Sequence, residues 1–370
     1  MSLVHITGDI NILRELPKPK TPLMGEVQGY MSKQERNLVK KKALEIIKEY
    51  KSLNQEFIYM PEEDDLLQLM EFMVNSEISN EYIGLLLEEM DLGEEDPRNI
   101  SWDQITRNKI PENFKVLVIG SGMSGILAGI RLKQSGINFK IIEKNSDLGG
   151  TWYENSYPGC RVDIANHFFS FSFYPNHQWS EHFSRQPEIL DYFRKCAYDF
   201  GIMDSIHFNS RVIQARYEDQ TKEWVLEVEK KSGKIEKLKA NLVISAVGQL
   251  NRPKIPDFTG KEEFTGNQFH SSQWDHEQDF TGKRVAVVGT GASAFQIVPE
   301  LAEVADKLTV FQRSPAWMYP NPVYHEKVTD SKKWLLSNIP FYSRWYRFLL
   351  FWPGSDGLMP SLTIDPKWPN

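Results

Sequence analysis

The stretch Val116-Leu117-Val118-Ile119-Gly120-Ser121-Gly122-Met123-Ser124-Gly125 decides the fold. Four apolar residues in a row predict a buried strand. The glycines follow at once, and Ile126 to Gln134 reads as a helix. Phe139-Lys140-Ile141-Ile142-Glu143 reads as the next strand and ends in an acid. Each position has a task. Gly120 allows the tight turn, Gly122 lets the backbone approach a pyrophosphate, and Gly125 lets helix and strand pack closely. The helix start offers free N–H groups and the positive end of its dipole to phosphates. Glu143 stands eighteen residues past Gly125, about where a ribose-binding carboxylate belongs. A glycine-rich turn without a ligand is the competing explanation. Strand, glycines, helix, strand and acid in register argue against it.

The pattern returns once. Arg284 to Val288 predicts a strand and leads into Gly289-Thr290-Gly291-Ala292-Ser293-Ala294. Ala294 replaces the third glycine, which the motif tolerates because that position only sets helix packing. After the next expected strand, Leu308 to Phe311, no acid stands; Gln312-Arg313-Ser314 does. A carboxylate would pair with a free 2′-hydroxyl, whereas an arginine offers a planar fork to a 2′-phosphate. NADPH is therefore expected over NADH, with Arg313 and Ser314 at the phosphate. A solvated surface cation is the plainer account of Arg313 taken alone.

The rest of the chain frames these two sites. Its 370 residues suggest two or three domains and exclude a disulfide-stapled miniprotein. A formal charge of −7 argues against nucleic acid as the main partner. Cys160 and Cys196 are too few for a disulfide framework and fit a reducing compartment, so a cytoplasmic location is expected. No basic start with an apolar core marks a signal peptide, and no run of eighteen apolar residues marks a membrane span. No metal is expected. Residues 1–33, with Pro17, Pro19 and Pro22, read as an irregular arm. Helices are expected from Lys33, over 62–75 and over 80–90, forming a small helical module without evident chemistry. The next domain or a second subunit would cover its apolar faces, so a homodimer through this module is one expectation. Residues 96–113 read as a linker. The expected fold is α/β, with two Rossmann-like dinucleotide-binding domains preceded by this module. Its divisions are 1–110 (arm and module), 111–255 (first part of the first dinucleotide-binding domain), 256–330 (the second, NADP-binding domain) and 331–370 (an aromatic-rich segment).

Two further segments identify the first nucleotide as FAD through resemblance, and a third points to the kind of flavoenzyme. Asp147-Leu148-Gly149-Gly150-Thr151-Trp152 and Leu242-Val243-Ile244-Ser245-Ala246-Val247-Gly248 resemble segments of the two-dinucleotide-binding flavoproteins, with Val247 where that family carries Thr. Phe264-Thr265-Gly266-Asn267-Gln268-Phe269-His270-Ser271-Ser272-Gln273-Trp274-Asp275 resembles the F-x-G-x-x-x-H-x-x-x-W-[P/D] signature of type I Baeyer–Villiger monooxygenases. Phe264, Gly266, His270, Trp274 and Asp275 carry the match. Gly149 to Asp163 resembles the same family's flavin-site segment. The segments Asn166–Phe173 and Phe341–Phe348 resemble its 4-hydroxyacetophenone monooxygenase branch.

The resemblance implies FAD and NADPH as cofactors, and a ketone or aromatic ketone with O2 as substrates. The product is an ester or lactone, formed through a flavin C4a-peroxide. It implies Gly120, Gly122, Gly125, Glu143, Gly150, Thr151, Trp152, Asp163, Val212, Gly289, Thr290, Gly291, Ala294, Arg313 and Ser314 as cofactor-binding, and Asp163 as the active-site carboxylate that orients a catalytic arginine. His270 is expected to link domain movements rather than transfer protons, Trp274 to pack, and Cys160 to be a small core residue. An N- or S-oxygenating flavin monooxygenase, or a non-catalytic FAD- and NADP-binding chain, are the alternatives. A disulfide reductase is disfavoured, because Cys160 and Cys196 are thirty-six residues apart.

The aromatic run from Trp334 to Trp352 suggests a cavity wall or packing on further polypeptide more than a bilayer-surface helix, since Pro340 breaks it. The family's returning flavin segment, with a Lys-Arg pair, is not found after residue 320. The expectation is thus an N-terminal fragment, half of a split enzyme or an inactive homologue. The isolated chain is not expected to oxygenate ketones.

Overall fold

The computed structural model describes residues 1–20, 30–52, 58–79, 83–84, 88, 109–316, 318 and 320–352. The chain forms two compact units. One combines Met1–Pro97, Asp163–Ser184 and Trp317–Asn370; the other combines Arg98–Val162 and Arg185–Ala316.

The second unit holds all nine strands of the described residues. Strands β1 (Lys115–Ile119), β2 (Asn138–Ile142), β3 (Ile206–His207) and β7 (Leu242–Ser245) make a parallel sheet in the order β3-β2-β1-β7. Val116, Leu117 and Val118 are all buried, which is why β1 is apolar without alternation. The helix Met123–Gln134 covers the sheet with Ile126 and Ile130. It comes close because of Gly129, where a Cβ would meet Ile141 Cδ1 at 2.8 Å. Strands β4 (Ser210–Glu218), β5 (Glu223–Lys230) and β6 (Ile235–Ala240) form an antiparallel sheet, with a bulge between Val212 and Gln214. Leu226 and Val228 of β5 point inward at alternate positions and pack with Leu117 and Ile142. Strands β8 (Arg284–Val288) and β9 (Lys307–Phe311) form a parallel pair, connected through the helix Ala292–Ala302.

The first unit is helical. Lys33–Ser52 and Glu63–Val74 form as expected from their periodicity. Most of the helix expected over 80–90 and of the linker over 96–113 lies outside the described residues. The irregular arm expected over 1–33 is corrected in part. Ser2–Thr7 and Ile12–Glu15 are short helices, with Val4, His5, Ile6, Ile12 and Leu13 buried. Helices this short are marginal alone, so tertiary packing makes them. Their partners include the aromatic segment. In the helix Tyr342–Phe351 and just beyond it, Trp345, Phe348 and Trp352 join one core with Val4, Leu13, Leu69 and Met70. The aromatics are thus buried against the N-terminal helices of their own unit. Among the described residues no helix is long and apolar enough to cross a membrane.

Candidate functional site: two glycine loops in one unit

The first loop is built by close backbone approaches that only glycine permits. Gly120 has φ +98°, and a Cβ there would stand 2.7 Å from the Ala246 carbonyl oxygen at the end of β7. At Gly125 a Cβ would meet the Gly120 carbonyl oxygen at 1.9 Å, and at Gly150 it would meet Gly122 Cα at 2.9 Å. The Gly149 N–H donates to the Ser121 carbonyl at 3.0 Å. The two glycine turns therefore face one another at the carboxyl end of the parallel sheet. The helix Met123–Gln134 starts there at Gly122 with no side-chain cap, leaving its first N–H groups for an anion.

Glu143 is buried just past β2. Its carboxylate accepts from the Ser121 N–H at 2.7 Å, the Ser121 hydroxyl at 2.8 Å and the Asn145 N–H at 2.9 Å. Three bonds leave acceptor capacity on a carboxylate, so a ribose hydroxyl remains a compatible partner. Ser121 and Asn145, which hold this acid, were not identified from the sequence; both stand beside motif positions. Thr151 is exposed and opens the short helix Thr151–Glu154, while Trp152 is half-buried. Val212 is half-buried at the β4 bulge and packs in the core shared by the two sheets.

At the second loop Gly289 has φ +109°, and a Cβ on Gly289 or Gly291 would meet nothing within 4 Å. Here glycine leaves an open cradle instead of filling one. The Gly289 N–H donates to the Phe311 carbonyl at 2.9 Å, and the Gln312 amide donates to Thr290 Oγ1 at 3.3 Å. These bonds join the loop to the end of β9, where Arg313 and Ser314 are exposed. Ala294 is half-buried in the first turn of the helix that starts at Gly291. The donor set, free helix N–H groups with an exposed guanidinium nearby, fits a phosphorylated nucleotide.

The signature segment lies between the loops in sequence, and its residues make local packing and hydrogen-bond contacts. The Phe264 ring lies over Gly266, where a Cβ would be 2.6 Å from it. His270 Nδ1 accepts from the Ser272 N–H at 3.1 Å and caps a single helical turn. Trp274 packs edge-on against Phe269 and joins the Tyr157, Cys160, Ile297 and Leu301 core. Asp275 accepts from the Glu277 N–H and the Gln278 amide.

Asp163 is exposed and belongs to the helical unit. Burial pushes the Cys160 thiol up to about 11 and the Cys196 thiol up to about 12, so neither is a ready nucleophile. Among the described residues no group of three His, Cys, Asp or Glu could hold a metal ion.

Two glycine loops, each between a parallel strand and a helix of one unit, define an α/β protein of the two-dinucleotide class. The flavin-binding monooxygenase-like family model matches residues 113–328, and the chain belongs to that family. A Baeyer-Villiger monooxygenase of Streptomyces coelicolor is 43% identical over 213 residues, 57% of this chain and 40% of its own length. The FAD-binding monooxygenase ktnD of Aspergillus niger is 40% identical over 243 residues, 64% of this chain and 40% of its own length. Among solved structures, OTEMO in complex with FAD and NADP aligns with a TM-score of 0.56 at 36% identity, covering 61% of this chain and 43% of that one. The chain spans about two fifths of the length of the curated relatives it matches.

Proposed function

We propose that this chain carries the FAD and NADPH sites of a monooxygenase that inserts one oxygen atom of O2 beside a ketone carbonyl, giving an ester or lactone. The observation that carries it is the pair of glycine loops in one unit, with the F-x-G-x-x-x-H-x-x-x-W-D segment between them in sequence. Relatives named as Baeyer-Villiger monooxygenases and a similar structure titled with both FAD and NADP support it. In this reading the Gly120–Gly125 loop and Gly150 hold the flavin pyrophosphate, and Glu143 takes a ribose. The Gly289–Gly291 loop holds the NADPH pyrophosphate, and Arg313 pairs with the 2′-phosphate. Asp163 is the candidate catalytic carboxylate on the resemblance alone. Bound flavin, reduced by hydride from NADPH, would supply dioxygen activation, one oxygen atom entering the ketone and the other leaving as water.

Within the family we infer the 4-hydroxyacetophenone branch, with an aromatic ketone as substrate. The two segments that carry this resemblance meet in the helical unit. Arg347 Nη1 donates to the carbonyls of His167, Phe168 and Ser170, at 3.2, 2.9 and 3.2 Å. Arg344 donates to the Ser172 carbonyl at 2.8 Å.

The test loads the purified chain with FAD and adds NADPH without oxygen, following bleaching of the flavin absorbance. Bleaching supports the reading; a chain that takes up neither nucleotide refutes it. Isotopically labelled O2 offered with an aryl ketone, an amine and a sulfide then separates the chemistries. Label in an ester supports ketone oxygenation and overturns the expectation that this chain alone does not perform it; label in only an N- or S-oxide overturns the reading; no label in any product confines the reading to the two nucleotide sites.

A further inference from the structure

Gln296 reaches from the second loop's helix to the segment that follows the first site. It is the fifth residue of the helix Ala292–Ala302, about 7 Å along the axis from Gly291. Its amide nitrogen donates to the Arg161 carbonyl at 3.0 Å. Its amide oxygen accepts from the Arg161 N–H at 3.3 Å and from the Tyr157 hydroxyl at 3.1 Å. The side chain thus pairs with the Arg161 backbone on both of its groups, as a strand neighbour would. The partners also fix its orientation, because a flipped amide would set N–H against N–H.

The turn beneath it is shaped to fit. Gly159 has φ +77°, and a Cβ there would stand 2.4 Å from the Gln296 carbonyl oxygen, so the turn's backbone rests on the helix. Tyr157, Cys160, Ile297 and Leu301 close the contact with an apolar core. Ser156 Oγ and His276 Nε2, 2.7 Å apart, tie the same turn to the end of the signature segment. In the other direction the turn leads back to Gly150, which sits against Gly122 of the first loop. Gln186 anchors this path from the side: its N–H donates to the Cys160 carbonyl at 2.9 Å, and its amide donates to the Trp152 carbonyl.

We propose that Gln296 is a positioning residue that couples the two nucleotide sites. A nucleotide seated on Gly289–Gly291 fixes the helix start; the helix carries that placement to Gln296, and Gln296 hands it to the Tyr157–Arg161 turn and so to Gly150. Coupling of this kind is reciprocal: FAD tightens NADP⁺ by the same factor as NADP⁺ tightens FAD. The inference rests on the nucleotide assignment made above.

The experiment is calorimetric titration of the 370-residue chain with NADP⁺, with and without saturating FAD. It is run on the wild type, Gln296→Leu and Tyr157→Phe. The wild type is expected to bind NADP⁺ about tenfold more tightly when FAD is present, within the usual range for coupled sites. Gln296→Leu should still bind each nucleotide alone, with the coupling factor reduced to near one. Tyr157→Phe, which removes one hydroxyl of the network, should fall between and keeps the test open if the leucine variant does not fold. Binding of both nucleotides with no coupling in the wild type, or with full coupling in both variants, overturns the role of Gln296 and leaves the nucleotide assignment standing. Failure of the wild type to bind either nucleotide overturns both.

Discussion

At Gly125 the atom nearest to an added methyl group is a backbone oxygen, Gly120 O at 1.9 Å, which cannot move without opening the loop. Gly125→Ala is therefore expected to cost about 3 kcal/mol, the upper range for overpacking. Denaturant unfolding measures this, and loss of flavin uptake should accompany it. Arg313 poses the opposite case: it is exposed and adds nothing to packing, so its substitution isolates a ligand contact. Hydrogen bonds to charged groups contribute about 1.5–3 kcal/mol, so Arg313→Ala should weaken NADPH by about 10- to 100-fold. NADH affinity should stay unchanged. Equal weakening of both, measured by titration, would remove Arg313 from the phosphate site.

At the scale of elements, the helix Ser2–Thr7 depends on a partner 340 residues away. His5 Nδ1 lies 2.9 Å from the Tyr59 carbonyl oxygen, and the Trp345 indole N–H donates to His5 Nε2 at 2.9 Å. A carbonyl only accepts and an indole N–H only donates, so the hydrogen sits on Nδ1 and the ring is neutral. Trp345→Phe would leave Nε2 buried without its donor. The cost should be about 1–3 kcal/mol, read as a lowered melting temperature. This dependence explains what the sequence could reveal. β1 was legible because a strand buried in a parallel sheet must be apolar along its length; β2, β8 and β9, which are exposed or only partly buried, were legible as short runs rich in β-branched and aromatic residues beside the glycine loops. The glycine loops were legible because close backbone approach is a local demand on residue type. The helices Ser2–Thr7 and Ile12–Glu15 were not: six and four residues carry no measurable period, and their stability comes from distant aromatics. The aromatic run was visible as composition, but its burial against the N-terminus was not. Gln296 escaped notice for the same reason, since its partners at Tyr157 and Arg161 stand about 135 positions earlier.

At the scale of the whole molecule, the buried histidines are unevenly shared. His5 and His167 are buried, His177 and His182 are half-buried, and all four lie in the helical unit. Burial lowers His5 from 6.5 to about 4. Burial, helped by His182, Lys332 and His177, lowers His167 to about 3. Neither ring nitrogen of His167 has a hydrogen-bond partner among the described residues, so nothing rewards a proton there. Burial lowers His177 and His182 as well. The unfolded chain binds protons at these rings once the pH drops below about 6.5, while the folded unit does not. The stability that depends on these neutral rings is therefore fully present above that pH and is lost as the pH falls toward the folded values. His5 and His167 together should cost about 4 kcal/mol by pH 5. Lys332, which burial holds down at about 8, acts above that pH and leaves the acid window flat. The nucleotide-loop unit has a smaller liability, chiefly His207, which burial also lowers. Hydrogen exchange at pH 7 and pH 5, corrected for intrinsic rates, should show protection falling first in Lys33–Ser52, Glu63–Val74 and Tyr342–Phe351. β1, β2 and the helix Met123–Gln134 should stay protected. Loss in those strands first, or in both units together, would mean that the buried histidines do not set the acid limit of this protein.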